Sequence, residues 1–164
     1  MDTQASIQLF LLVHAVGLAL WSSVAALNNV HDFRGAAAAV GRTLSMAPLD
    51  EAPKVPTPLR RRAISSAGLH RLALLMVLAL QGVAAVCLWT GCAALLVYGT
   101  REAALPWLNL GLGALSAAVL AMTLGGMAVA YWIRQETLQL THLVLLLWFL
   151  AAFAVFNLAW TGGA

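Results

Sequence analysis

Residues 72–98 read LALLMVLALQGVAAVCLWTGCAALLVY, a run of 27 positions without one Asp, Glu, Lys or Arg. An α-helix rises about 1.5 Å per residue, so about 20 apolar residues cross a hydrocarbon core of about 30 Å. The run spans a bilayer with length to spare, which implies tilt or protrusion into the headgroups. It is entered through His70-Arg71 and left through Gly99-Thr100-Arg101-Glu102. Three further stretches satisfy the same criterion. Residues 7–27 stop at Asn28-Asn29, residues 106–133 place Pro106 at a helix start where its missing N–H costs least, and residues 138–160 close on Thr161-Gly162-Gly163. The sequence therefore predicts an all-α integral-membrane four-helix bundle, a single transmembrane domain over 1–164.

Composition agrees. The chain is 62% hydrophobic and 9% charged, against roughly half and about a quarter in soluble domains. Its net charge of +3 comes from nine basic and six acidic side chains. The basic pI thus reflects scarcity of charge rather than a nucleic-acid surface, and no nucleic-acid partner is expected. The first stretch has no Lys or Arg before Arg34, so it reads as a retained span rather than a cleaved leader.

Residues 28–69 form the one long polar loop of this reading, between the first and second spans. Within it, residues 35–47 have the composition of a short interfacial helix. Pro48, Pro53, Pro56 and Pro58 exclude regular structure beyond, and Arg60-Arg61-Arg62 forms a basic cluster at the surface. With four crossings, Arg34, Arg42, Lys54, Arg60, Arg61, Arg62, Arg71 and Arg134 fall on one side and Arg101 alone on the other. The positive-inside rule then makes the loop cytoplasmic and puts both termini outside.

Chemistry-bearing residues are sparse. Asp2, Asp32, Asp50, Glu51, Glu102 and Glu136 all lie outside the spans, whereas proton relays and cation pathways place ionisable groups at depth. No catalytic motif is present, so no catalytic residue is assigned and an enzyme is not expected. His31, His70 and His142 fall at one membrane face and are candidates for haem, metal or quinone binding, with Asp32, Gln135 and Glu136 nearby. They lack ligand spacing such as His-x-x-x-His, and histidines at an interface commonly bond backbone or water, so no metal site is assigned and lipid is the expected ligand. Cys87 and Cys92 lie about 140° apart around a helix and read as small packing residues. Gln81, near the middle of its span, requires a partner.

Packing signals are stronger. Gly113, Ala117, Ala121 and Gly125 recur every four residues, a small-residue stripe that lets another helix approach closely. Phe149, Phe153, Phe156 and Trp160 recur at three and four and form an aromatic ridge, for the bundle's own core or for an outward docking surface.

The runs Leu27-Asn28-Asn29, Asp32-Phe33, Leu44-Ser45-Met46 and Arg62-Ala63-Ile64 with a His shortly after, continuing weakly from Gln81-Gly82 to Gly91-Cys92-Ala93, resemble an uncharacterised bacterial family of predicted small integral membrane proteins with four spans. The resemblance covers about half the chain. It implies the four-span architecture and a bacterial inner membrane, and no activity. Family members carry an acidic, Trp-rich end to the third span and basic residues before the first. This chain has Tyr131-Trp132-Ile133-Arg134-Gln135 and no such basic residues, so the resemblance and the charge count point to opposite orientations.

Three functions are compatible with these features. The favoured one is a non-catalytic accessory or structural subunit of a larger bacterial inner-membrane complex, of the energy-transducing kind (respiratory or photosynthetic), whose partners are lipid and other membrane subunits. In that reading Asn28, Asn29, Asp32, Arg60, Arg61 and Arg62 form a docking loop. The alternatives are a small redox or cofactor-binding membrane protein built on the three histidines, and a homo-oligomeric pore or exporter with Gln81 and Asn109 toward its lumen.

Overall fold

The computed structural model describes residues 2–158, in which every regular element is helical. Five α-helices follow in order: α1 (Thr3–His31), α2 (Phe33–Leu44), α3 (Ala67–Tyr98), α4 (Arg101–Ala128) and α5 (Glu136–Asn157). Short 3-10 turns occupy Ala47–Asp50, Pro58–Arg62 and Tyr131–Ile133. α1, α3, α4 and α5 are each long and apolar enough to cross a membrane. Trp160 and the Thr161-Gly162-Gly163 stop lie outside the described residues.

The connection expected as a long polar loop over 28–69 is largely helical. α1 runs on through Asn28 and Asn29 to His31, and α2 resumes at Phe33. Asp32, at φ −114° and ψ 57°, is the break. Its backbone N–H still donates to the Asn28 carbonyl (3.0 Å), and its own carbonyl accepts from Ala36 (2.9 Å), so the helical path bends rather than stops. The Asp32 carboxylate caps the new helix by accepting from the Gly35 N–H at 2.9 Å. Gly35 permits this close approach, because a Cβ there would lie 2.0 Å from the carboxylate.

Three contacts set α1 and α2 against α3. Trp89 donates its indole N–H to Ser23 Oγ (3.1 Å), Asn29 donates its amide to Gln81 Oε1 (3.1 Å), and Gly41 lies against the His70 ring. From Asn29 to Gly41 the chain advances twelve residues, and from Gln81 back to His70 eleven. Both therefore advance at nearly the same rate, and α1 and α2 act as one bent helix antiparallel to α3. The hairpin closes where the Ile64 N–H donates to the Leu44 carbonyl at 2.8 Å.

Helix ends differ from the expected bounds for local reasons. α3 starts at Ala67 because Ser66 caps it, accepting from the Leu69 N–H at 3.4 Å. It stops at Tyr98 because Gly99 takes the left-handed conformation, φ 64°. α4 starts at once with Arg101, so Pro106 stands inside the helix, not at its first turn. α4 also ends at Ala128, short of the expected Ile133: Ala130 turns left-handed (φ 54°) and Tyr131 folds back onto Gly126. A Cβ on Gly126 would meet the Tyr131 ring at 2.7 Å.

α3 and α4 pack most closely, through two glycines. A Cβ on Gly91 would fall 2.6 Å from Leu108, and one on Gly111 2.7 Å from Leu88. Leu11, Leu18, Leu88, Leu108, Leu112, Leu115, Phe149 and Phe156 fill the core between the four long helices. Trp21 closes the bundle by meeting α5 edge-on at Trp148 (5.7 Å) and Phe149 (5.8 Å). A second apolar cluster, of Met46, Leu49, Val129 and Ala130, seats the segment after α2 on the end of α4 and makes a cap over that end of the bundle.

Candidate functional site

The three candidate histidines are placed differently. His31 ends α1 and is exposed. His70 donates Nε2–H to the Ile64 carbonyl at 2.7 Å, which holds its ring against Gly41. His142 is 6% exposed and stacks on Tyr131, with ring centroids 5.9 Å apart and planes 25° apart. Among the described residues no three His, Cys, Asp or Glu side chains are grouped to hold a metal ion. The companions expected for the histidines are engaged or exposed: Asp32 caps α2, Gln135 donates to Thr43 Oγ1 (3.1 Å), and Glu136 is exposed at the start of α5.

The His142–Tyr131 contact holds two unusual atoms. The Tyr131 hydroxyl and His142 Nδ1 are both buried and make no hydrogen bond of normal geometry among the described residues. Buried polar atoms without partners are uncommon and costly, so the pair is a candidate ligand or partner contact. Burial pushes the Tyr131 phenol above its ordinary range, opposed more weakly by the neighbouring Thr123 hydroxyl. Sequence reading singled out His142 but missed Tyr131, because the helix was expected to run straight through it. The turn at Ala130 is what points the ring inward.

Elsewhere the polar residues pair between helices. Gln81 finds its partner in Asn29. Asn109 and Asn157 exchange amide hydrogen bonds reciprocally, at 2.9 and 2.8 Å, tying α4 to α5. Arg101 donates Nε–H to the Phe156 carbonyl (2.7 Å), satisfying one of the open carbonyls at the C-terminus of α5. Cys87 and Cys92 are buried free thiols.

The small-residue stripe looks away from the bundle. Gly113 and Ala117 are exposed, Ala121 and Gly125 half-buried, and nothing among the described residues lies within 4 Å of a Cβ built on Gly113 or Gly125. The glycines that admit a neighbouring helix are Gly91 and Gly111. Beside the stripe a groove of about 310 Å³ opens between α4 and α5, lined by Asn109, Gly113 and Ser116 on one wall and Leu146, Leu150 and Phe153 on the other. The aromatic ridge divides accordingly. Phe149 and Phe156 are each 1% exposed in the core, while Phe153 is 45% exposed on the groove wall.

At the capped end, Arg60 is built into the structure. It donates to the Met46 carbonyl (2.9 Å) and to Asp50 (2.7 Å). Arg42 pairs with Glu51, and Arg134 donates to the Pro53 carbonyl. Asn28, Arg61 and Arg62 are exposed and Asn29 half-buried.

Compared with known proteins, the chain matches over residues 7–159 the family model described as "Predicted small integral membrane protein (DUF2165)". No curated protein and no solved structure matches it.

Proposed function

From its membership of the DUF2165 family of predicted small integral membrane proteins, which its match over residues 7–159 establishes, we propose that the chain is a non-catalytic accessory or structural subunit of a larger membrane complex. The carrying observation is the outward stripe of Gly113, Ala117, Ala121 and Gly125, open at both glycines. Small residues on a lipid-facing helix cover little hydrocarbon themselves but let a second helix come close enough for extensive van der Waals packing. The chain already fills its own α3–α4 contact with other glycines, so this stripe is left for a neighbour. The energy-transducing class of the complex and a bacterial inner membrane with the capped end cytoplasmic belong to the same reading, the orientation supported by the concentration of Arg and Lys at that end.

Purification of the tagged chain from its own membranes in mild detergent, with mass spectrometry of what remains bound, tests the proposal. A larger complex at fixed stoichiometry is expected, and Gly113→Leu with Ala117→Leu should release it while helix content is kept. Recovery of the chain alone, unchanged by the leucines, would overturn the subunit reading.

One observation favours a second reading, a small cofactor-binding membrane protein: the stacked His142 and Tyr131 rings, whose buried Nδ1 and hydroxyl make no hydrogen bond of normal geometry among the described residues. Imidazole nitrogen is a ligand for haem iron and transition metals, and a phenol can donate to a bound oxygen. It requires a chromophore or bound metal in the purified protein that disappears in His142→Ala.

A further inference from the structure

Charge is distributed very unevenly between the two ends of the bundle. The capped end carries Arg34, Arg42, Lys54, Arg60, Arg61, Arg62, Arg71 and Arg134, against Asp32, Asp50, Glu51 and Glu136. The opposite end has Arg101 with Asp2 and Glu102. At the capped end three carboxylates are already engaged: Asp50 with Arg60, Glu51 with Arg42, and Asp32 with the N-terminus of α2. Arg134 is held by the Pro53 carbonyl. Arg34, Lys54, Arg61, Arg62 and Arg71 remain, all exposed and none in an ion pair among the described residues.

We propose that these five side chains form a binding surface for the phosphate headgroups of anionic phospholipids in the adjoining leaflet. Juxtamembrane clusters of this size attract anionic lipid over a range set by ionic strength. The placement of Arg34 selects lipid over a soluble polyanion. Thr43 bonds Gln135 at the level where α5 begins. Gly41 sits opposite His70 in the first turn of α3. Arg34 stands seven residues before Gly41, about 10 Å along the helix toward the bundle's middle. A polyanion in solution meets Lys54, Arg61 and Arg62, whereas a headgroup at the membrane surface also meets Arg34 from the lipid side. On the same segment of α3 as Arg71, the exposed Leu72, Leu75 and Met76 offer apolar surface to the acyl chains. Arg60, fixed to Met46 and Asp50, keeps the adjoining Arg61 and Arg62 in place on their 3-10 turn. The inference is independent of the subunit reading.

The test is native mass spectrometry of the full chain equilibrated in mixed micelles with equal amounts of phosphatidylglycerol and phosphatidylcholine. Several-fold preference for retained phosphatidylglycerol is expected, falling with added salt and approaching parity in the variant Arg34→Gln, Arg61→Gln, Arg62→Gln, Arg71→Gln with helix content unchanged. Parity in the unaltered chain would overturn the proposal, and this comparison stands whether or not the variant folds. Full preference surviving in a folded variant would also overturn it, as would displacement of the lipid by millimolar inorganic phosphate, which would identify the bound chemistry as free phosphate.

Discussion

Gly41 lies directly against the imidazole of His70: a Cβ added to it would stand 2.5 Å from Nδ1. The ring cannot swing away freely, because its Nε2–H is held by the Ile64 carbonyl at 2.7 Å. Gly41→Ala is therefore expected to push α2 off α3 or break that hydrogen bond, at a cost of about 1–3 kcal/mol. Reversible unfolding in bilayers or micelles measures the loss. An unchanged stability would show that α2 is not seated on α3.

The glycines of α4 should divide by the direction they face. Gly111→Ala drives a Cβ toward Leu88 and to within 3.3 Å of the Ala84 carbonyl, so destabilisation of about 1–3 kcal/mol is expected. Gly113→Ala and Gly125→Ala meet nothing within 4 Å and should leave the isolated chain as stable or gain about 0.4–1 kcal/mol from the less flexible unfolded chain. The same two alanines in the outward stripe should weaken any assembly that uses it. Equal effects at all three positions would contradict the packing.

The interhelical amides should show pairwise coupling. Asn109→Leu or Asn157→Leu alone leaves a half-buried amide without its reciprocal partner, whereas the double variant removes both. A double-mutant cycle should return a favourable coupling of about 0.6–2 kcal/mol. Additive single effects would mean the two side chains do not meet.

Tyr131 gives a test with the opposite sign from most core substitutions. Its hydroxyl is buried and makes no hydrogen bond of normal geometry among the described residues, so Tyr131→Phe should be neutral or stabilising by about 1 kcal/mol in the isolated chain. Ultraviolet titration should show Tyr131 ionising above the usual tyrosine range, as its burial requires. The sign follows from the raised pKa: folded Tyr131 resists losing its proton, so this residue weakens the fold once pH rises through the unfolded phenol's value near 10. A marked loss of stability in Tyr131→Phe at neutral pH would show that the hydroxyl has a partner after all.

Much of the architecture is legible in the sequence because lipid imposes one dominant constraint. Charge-free runs of about 20 residues leave helices as nearly the only choice, and four helices long and apolar enough to span are present among the described residues. The break at Asp32 is harder to read. Asn28, Asn29, His31, Asp32 and Arg34 look like the beginning of a loop by polarity, yet the backbone bonds on either side of Asp32 keep the helix going. Tertiary pairing with Gln81 and His70 decides that segment, and polarity alone carries no information about it. The stripe on α4 illustrates the same limit. Four-residue spacing identifies a face that a helix can approach, but only the positions of Leu88 and Leu108 reveal that the chain's own packing uses Gly91 and Gly111 instead. His142 was visible as a candidate, while its contact with Tyr131 depends on a left-handed turn at an alanine, which sequence patterns give no reason to expect.

The bond between Ile64 and Leu44 brings the two ends of a nineteen-residue excursion together at a single point, 2.8 Å from nitrogen to oxygen. Mechanically the membrane hairpin is clasped there, upstream of everything between. Glu51 to Lys54 are exposed at the far side of that excursion, yet Glu51 pairs with Arg42 and the Pro53 carbonyl accepts from Arg134, so the far side is moored to α2 and to the turn before α5 as well. The excursion therefore behaves as a stopper pinned at several points, with buried Met46 and Leu49 seated on Val129 and Ala130, and a change in its length is felt at the end of α4.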